Sequence, residues 1–163
     1  VDWRFFSLEQ VNAKDPAAPK VWEKQEDDAA SLIAFKAAQA ARRQTPENWA
    51  SYHEALLLAR HERKEELDRP TVLRIADDVG LDPAQLERDM AAPDILDGLA
   101  RDHEEAVSQG VFGCPTILFD AGRGAYLRMM PASTGPEAAR VFDTFRQVVA
   151  GDLNIQEIKR PQL

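Results

Sequence analysis

From Asp27 to Gln109 the sequence gives one helix signal after another and no strand, and β-prone runs stand on both sides of this block. AASLIAFKAAQAARR is alanine-rich, with Leu32, Phe35 and Ala38 close enough to helical spacing to share a face. Asp27 and Asp28 stand near its start and Arg42 and Arg43 near its end, as the helix dipole favours. Thr45-Pro46-Glu47 reads as a cap with proline at the first helical position. The next helix carries Trp49, Tyr52, Leu56 and Ala59 on one face, and Asp68-Arg69-Pro70 breaks it. Thr71 to Val79 is closed by Gly80, Asp82-Pro83 starts a helix through Met90, and Pro93-Asp94 starts another through Gln109. Several short helices in one block point to a helical subdomain rather than to crossovers in a large sheet.

The flanks have a different period. Val1, Trp3 and Phe5 alternate with Asp2 and Arg4, the pattern of a half-buried strand, so Val1 to Leu8 is expected to be one. Leu8 to Lys20, with Asn12, Pro16 and Pro19, reads as an irregular connection. After Gly110 comes Thr116-Ile117-Leu118-Phe119, a compact β-prone run. The turn-like Asp120 to Gly124 then joins it to a second, antiparallel strand over Ala125 to Met130. Gly135-Pro136 opens a last helix with Ala139, Phe142, Phe145, Val148 and Val149 on its inner face, closed by Gly151. Leu153 to Leu163 is an ordered arm or a frayed terminus. The expected class is α/β.

Length and charge exclude several functions. A chain of 163 residues fits one domain, or one with an insertion, and can bury about 70% of its surface. Acids outnumber bases 28 to 20, for a formal charge of -8, and no basic stripe appears. Nucleic acid and anionic membranes are therefore not expected partners. No apolar run approaches a membrane span of about 20 residues, and no charged leader or signal-peptide stretch stands at the start. The single cysteine, Cys114, excludes an intrachain disulfide framework and a cysteine-rich zinc site. His53, His61 and His103 lack zinc-motif spacing and are expected on the surface, so no metal is expected. Trp49 and Tyr52 read as core, and Asp27-Asp28 and Glu65-Glu66 as solvated faces or helix-end charges. No phosphate-binding loop, GxGxxG or nucleophile elbow is present.

One segment stands out as a site. Gly110-Val111-Phe112-Gly113-Cys114-Pro115-Thr116 ends a helix at glycine and begins a strand right after X-Pro-Thr. A proline at a strand start donates no hydrogen bond, and in the cis form it exposes the preceding backbone to a ligand. Cys114 has three readings: a small buried hydrophobe, a thiol touching a bound low-molecular-weight thiol, or a thiol pairing with a cysteine outside this sequence.

Four segments together resemble the DsbA-like branch of the thioredoxin superfamily, with closest similarity to its FrnE-like and mycothiol-dependent members. VDWRFFSL resembles the second strand; the helical block, including ADDVGLDPAQLERDM, resembles the inserted helical domain. GVFGCPTILFD resembles the cis-proline loop and its strand, and the terminal IKRP resembles the ending of several members. The resemblance implies a thioredoxin-like fold of DsbA type with a helical insertion. Residues 1–26 and 110–163 would then form the thioredoxin-like domain without its N-terminal βα unit, and 27–109 the insertion. It implies a cytoplasmic thiol–disulfide oxidoreductase acting on a thiol or disulfide substrate. No cofactor is required, though a low-molecular-weight thiol, mycothiol or glutathione, would be used. Two alternatives stay open: a glutathione-dependent isomerase of the 2-hydroxychromene-2-carboxylate type, and a non-catalytic homologue acting as a binding domain.

The resemblance places Cys114 and Pro115 at the chemistry, and makes the Cys114–Pro115 bond cis. It gives Val111, Phe112, Gly113 and Thr116 to binding of substrate or thiol. The family's nucleophile motif, CxxC or Ser-x-x-Cys, has no counterpart in this sequence, and Cys114 replaces the usual Val or Thr before the proline. In this fold the first strand lies between the Val1 and Thr116 strands. Its slot is therefore expected to be filled by residues upstream of Val1 or closed by another chain, as in a homodimer.

Overall fold

The structure is a computed structural model that describes residues 1–15, 17–23, 30–119, 122–129, 133–151, 155 and 158. It is mixed α/β and divides into two compact units, Val1–Ala106 and Val107–Leu163. The sequence reading groups 1–26 with 110–163; by compactness, residues 1–26 group with the helical block.

The first unit is built around α2 (Ala30–Ala41). Its Leu32, Ala37, Ala38, Ala40 and Ala41 are buried, and small side chains at four of these five positions let neighbouring helices approach closely. Helix α3 (Pro46–His61) starts where expected: the Thr45 hydroxyl accepts the Asn48 N–H at 3.4 Å, with a proline in the first turn. Its predicted face is the core face, with Tyr52, Leu56 and Ala59 buried and Trp49 packed beside them. The fully buried Tyr52 hydroxyl donates to the Val72 carbonyl at 3.0 Å, which ties α3 to α4 (Arg69–Asp78). Helix α3 ends at His61, ahead of the break expected at Asp68-Arg69-Pro70, and the Asp68 carboxylate instead caps α4 by accepting the Thr71 N–H. Gly80 turns the chain out of α4 with φ of +80°, a conformation that favours glycine. Asp82 caps α5 (Pro83–Met90) through the N–H groups of Ala84 and Gln85. The last helix, α6 (Asp97–Ser108), starts later than the Pro93-Asp94 signal, because residues 93–96 are spent in tight turns. Among the described residues of 27–109 no strand occurs. Asp27 and Asp28 lie outside the described residues.

The expected strand over Val1 to Leu8 does not form. Phe5 and Phe6 are consecutive and both buried, which a strand of period two with one wet face does not do. The backbone donors that a sheet neighbour would take are claimed by α6. Phe5 N–H donates to the Asp102 carboxylate at 3.0 Å, and Ser7 N–H donates to His103 Nδ1 at 3.2 Å. Ser7 then caps a one-turn helix, α1 (Leu8–Val11), in what reads from sequence as irregular chain. A 3-10 turn follows at Val21–Glu23.

The second unit holds an antiparallel pair, β1 (Thr116–Phe119) and β2 (Arg123–Tyr126), in register Thr116↔Tyr126 to Phe119↔Arg123. β2 starts two residues before the predicted Ala125 and ends at Tyr126; Met130 lies outside the described residues. Gly124 belongs to this shifted register: a Cβ there would lie 2.3 Å from Leu118 Cδ2 and 2.7 Å from the Ile117 carbonyl oxygen. Helix α7 (Gly135–Arg146) runs into a π-helical turn at Gln147–Gly151. Phe119 meets Phe142 and Phe145 at ring distances of 6.4 and 6.0 Å. The predicted inner face is only partly covered: Phe145, Val148 and Val149 are half-buried, whereas Ala139 and Phe142 are exposed.

Candidate functional site

The loop over residues 111–116 is set by what precedes and follows it. Gly110, at φ +81°, ends the chain's run out of α6, with its N–H on the Val107 carbonyl at 2.9 Å. Gly113 is the one buried residue of the loop, and a Cβ on it would lie 3.4 Å from the Tyr126 ring. Phe112 leans on that same ring at 5.6 Å yet stays 70% exposed. Thr116 fixes the base of the loop by donating its hydroxyl hydrogen to the Gly113 carbonyl at 2.7 Å. The Cys114–Pro115 peptide is cis.

Strand pairing decides which backbone groups stay available. Leu127 N–H donates to the Pro115 carbonyl at 3.0 Å, extending the ladder one step past Thr116↔Tyr126. The missing N–H of Pro115 therefore falls where β2 would have taken one. By the alternation of antiparallel ladders, the main-chain groups of Thr116 and Leu118 point away from β2. Among the described residues, neither the N–H nor the C=O of Cys114 has a hydrogen-bond partner. Among the described residues, the loop thus presents Cys114, Thr116 and the outer edge of β1 as one run of unpaired donors and acceptors.

Cys114 is exposed as a residue, yet its thiol is desolvated enough that burial pushes its pKa up. An attacking cysteine needs the opposite shift, because the thiolate is the nucleophile. Val111 is half-buried in this stretch, so the backbone and the exposed residues Phe112, Cys114 and Pro115 make up the accessible face.

The histidines do not follow the surface expectation, except for the exposed His61. His103 is 4% exposed, stacks on Phe6 at 4.6 Å and accepts the Ser7 N–H, which requires a neutral ring with its proton on Nε2. Desolvation, with Lys20 adding to it and Glu104 opposing, lowers its pKa. His53 lies half-buried between Trp49, stacked at 5.2 Å, and Trp3 at 4.7 Å, and burial followed by the Arg42 charge lowers its pKa too. Asp102, missed in the sequence, is buried beside Arg4 and Arg42. It sits in a charged stretch that carries no signal for a buried partner. Glu65 pairs with Arg63 and Arg74 rather than standing alone on a solvated face. Among the described residues no group of three metal-ligating side chains occurs, and no helix is long and apolar enough to cross a membrane.

A family model for the DSBA-like thioredoxin domain matches residues 10–142. The chain is also similar to the uncharacterized protein Rv2286c of Mycobacterium tuberculosis. The two are 29% identical over 169 aligned residues, which cover 99% of this chain and 69% of the relative.

Proposed function

Because the chain belongs to the DSBA-like thioredoxin-domain family, whose members are of thiol–disulfide oxidoreductase type, we propose that its 111–116 loop binds the disulfide or thiol substrate of such an exchange, with a low-molecular-weight thiol as the second reactant. In this reaction a thiolate attacks one sulfur of a disulfide, the S–S bond breaks, and the other sulfur leaves as a thiolate; electrons and atoms balance without any other oxidant. The residues of this chain do the holding. The unpaired Cys114 N–H and C=O, continued by the free edge of β1, suit an extended backbone or the amide of a small peptide-like thiol. Phe112 supplies an exposed apolar face beside them. The observation that carries this reading is that row of unpaired main-chain groups. The raised pKa of Cys114 favours contact with a bound sulfur over attack on it. A cytoplasmic setting, where thiols stay reduced, is part of the same proposal.

The test separates holding from exchange. S-methylated glutathione and S-methylated mycothiol cannot exchange, so amide resonances of the labelled chain report binding alone. Shifts centred on Val111, Gly113 and Thr116, retained in Cys114→Ser, are the expected result. Titration that moves no resonance in the loop would sink the proposal.

A further inference from the structure

We propose that the cavity between α2 and α3 in the first unit binds a monoanionic amphiphile, an aliphatic chain that ends in one free carboxylate. The cavity measures about 560 Å³, within the range of small-molecule sites. Its walls include Phe5, Phe35, Leu56 and Leu57, with Phe5 edge-on to Phe35 at 5.7 Å, so the body of a ligand meets hydrocarbon and ring edges. The mouth is different. In a chain of formal charge -8, it carries Arg60 and Lys64 against one acid, Glu66. Arg60 makes no ion pair among the described residues, which leaves its guanidinium open to a carboxylate. Lys64 holds φ of 59°, a left-handed conformation rare for a lysine, and its ammonium donates to the His61 carbonyl at the same mouth. Among the described lining residues, two cations against the one acid leave a single net positive charge, which fits one negative charge better than two. Inside, His53 lines the wall with a buried Nε2 that has no partner among the described residues. Burial lowers the pKa of that ring, and the charged side chains that line the cavity are Arg60, Lys64 and Glu66, so the head stays at the mouth.

The experiment is calorimetric titration of the 163-residue chain with decanoate and with decanol, below their micelle or solubility limits. Saturable binding of decanoate, about tenfold tighter than decanol, is expected, a preference of roughly 1.4 kcal/mol. Arg60→Gln should erase that preference while leaving decanol unchanged. Leu57→Glu alters a wall residue that is 39% exposed, so a retained circular-dichroism melt shows the fold intact while decanoate binding is lost. Ring resonances of His53 should move on binding and those of His103 should not. No saturable binding, equal affinity for acid and alcohol, binding that survives Leu57→Glu, or association with anionic vesicles but not with free decanoate would each overturn the proposal. This inference is independent of the thiol chemistry, and neither test bears on the other.

Discussion

Removing the Asp102 carboxylate tests the claim that α6 takes the place of a sheet neighbour for the N-terminal segment. The carboxylate accepts Phe5 N–H at 3.0 Å and Arg4 at 3.3 Å, and lies 3.8 Å from Arg42. A hydrogen bond to a charged acceptor contributes about 1.5–3 kcal/mol, and an orphaned buried donor costs about 1–3 kcal/mol. Phe5 is 6% exposed, so its N–H gains little from water once the acceptor is gone. The Arg4 side chain is 56% exposed, and its ion pair adds under about 1 kcal/mol. Asp102→Ala is therefore expected to lower stability by about 3 kcal/mol, a large share of a typical 5–15 kcal/mol. Asp102→Asn keeps one acceptor oxygen and should lose about half as much. Urea unfolding gives the difference as a shift in midpoint at constant slope. Hydrogen exchange at the Phe5 amide locates it. A loss below about 1 kcal/mol for the alanine variant, with Phe5 exchange unchanged, would refute the reasoning.

Other residues give sharper or cheaper readouts. His103 has a folded-state pKa below its unfolded value of 6.5, so its contribution is complete above about pH 6.5 and is lost as pH falls toward the folded pKa. His103→Gln should flatten that limb of a stability-against-pH curve, and an unchanged limb would contradict the neutral acceptor role. Cys114, with a raised pKa, should react with iodoacetamide near neutral pH more slowly than free cysteine in spite of its exposure, and a faster rate would reverse its assignment. Gly124→Val places a Cβ against Leu118 and the Ile117 carbonyl oxygen and should cost about 1–3 kcal/mol, read as faster exchange of the Ile117 and Ala125 amides. Asp82→Ala removes the acceptor of two first-turn N–H groups and should cost about 1 kcal/mol in a thermal melt.

What the sequence shows and hides follows from the range of each signal. Thr45, Asp82 and Gly80 act within a few residues, and their roles are legible because a cap or a left-handed turn is a local event. The core face of α3 is legible because helical periodicity is local too. The fate of residues 1–7 is not, because it depends on Asp102 and His103 almost a hundred positions away. Both accept a backbone N–H, which any residue carries, and the Arg4 side chain that also reaches Asp102 has nearer acids in the sequence that would read as its partners. The same holds for the shift of β2: Gly124 reads as a turn residue until the close approach of Leu118 shows why glycine is needed inside the strand. The loop at residues 111–116 was legible as a motif. Which of its main-chain groups stay free is set by the register across to Leu127, a fact of pairing rather than of composition.

The two units differ in how far their apolar surface is closed, and that difference bears on the candidate site. In the first unit Leu32, Tyr52, Val72, Ile75, Leu86 and Leu99 are essentially inaccessible to solvent. In the second, Gly113 is the one buried residue among those described, while Leu118, Met129 and Phe142 are each more than 40% exposed. A two-stranded sheet is marginal in water without further strands or a covered face. The free edge of β1 starts at the loop, at Thr116, and runs on through Leu118. An extended segment pairing there would satisfy the unpaired groups of Thr116 and Leu118 and cover part of the exposed Leu118 side chain in one step. Binding on this edge and stabilisation of the second unit are then linked: a ligand that binds only the folded state raises its stability with concentration. A peptide disulfide that docks at residues 111–116 should therefore slow exchange of the Leu118 amide before it affects Ile117, whose N–H already points at β2. Equal slowing at both positions would show general tightening instead of strand pairing, and would separate the edge from the site.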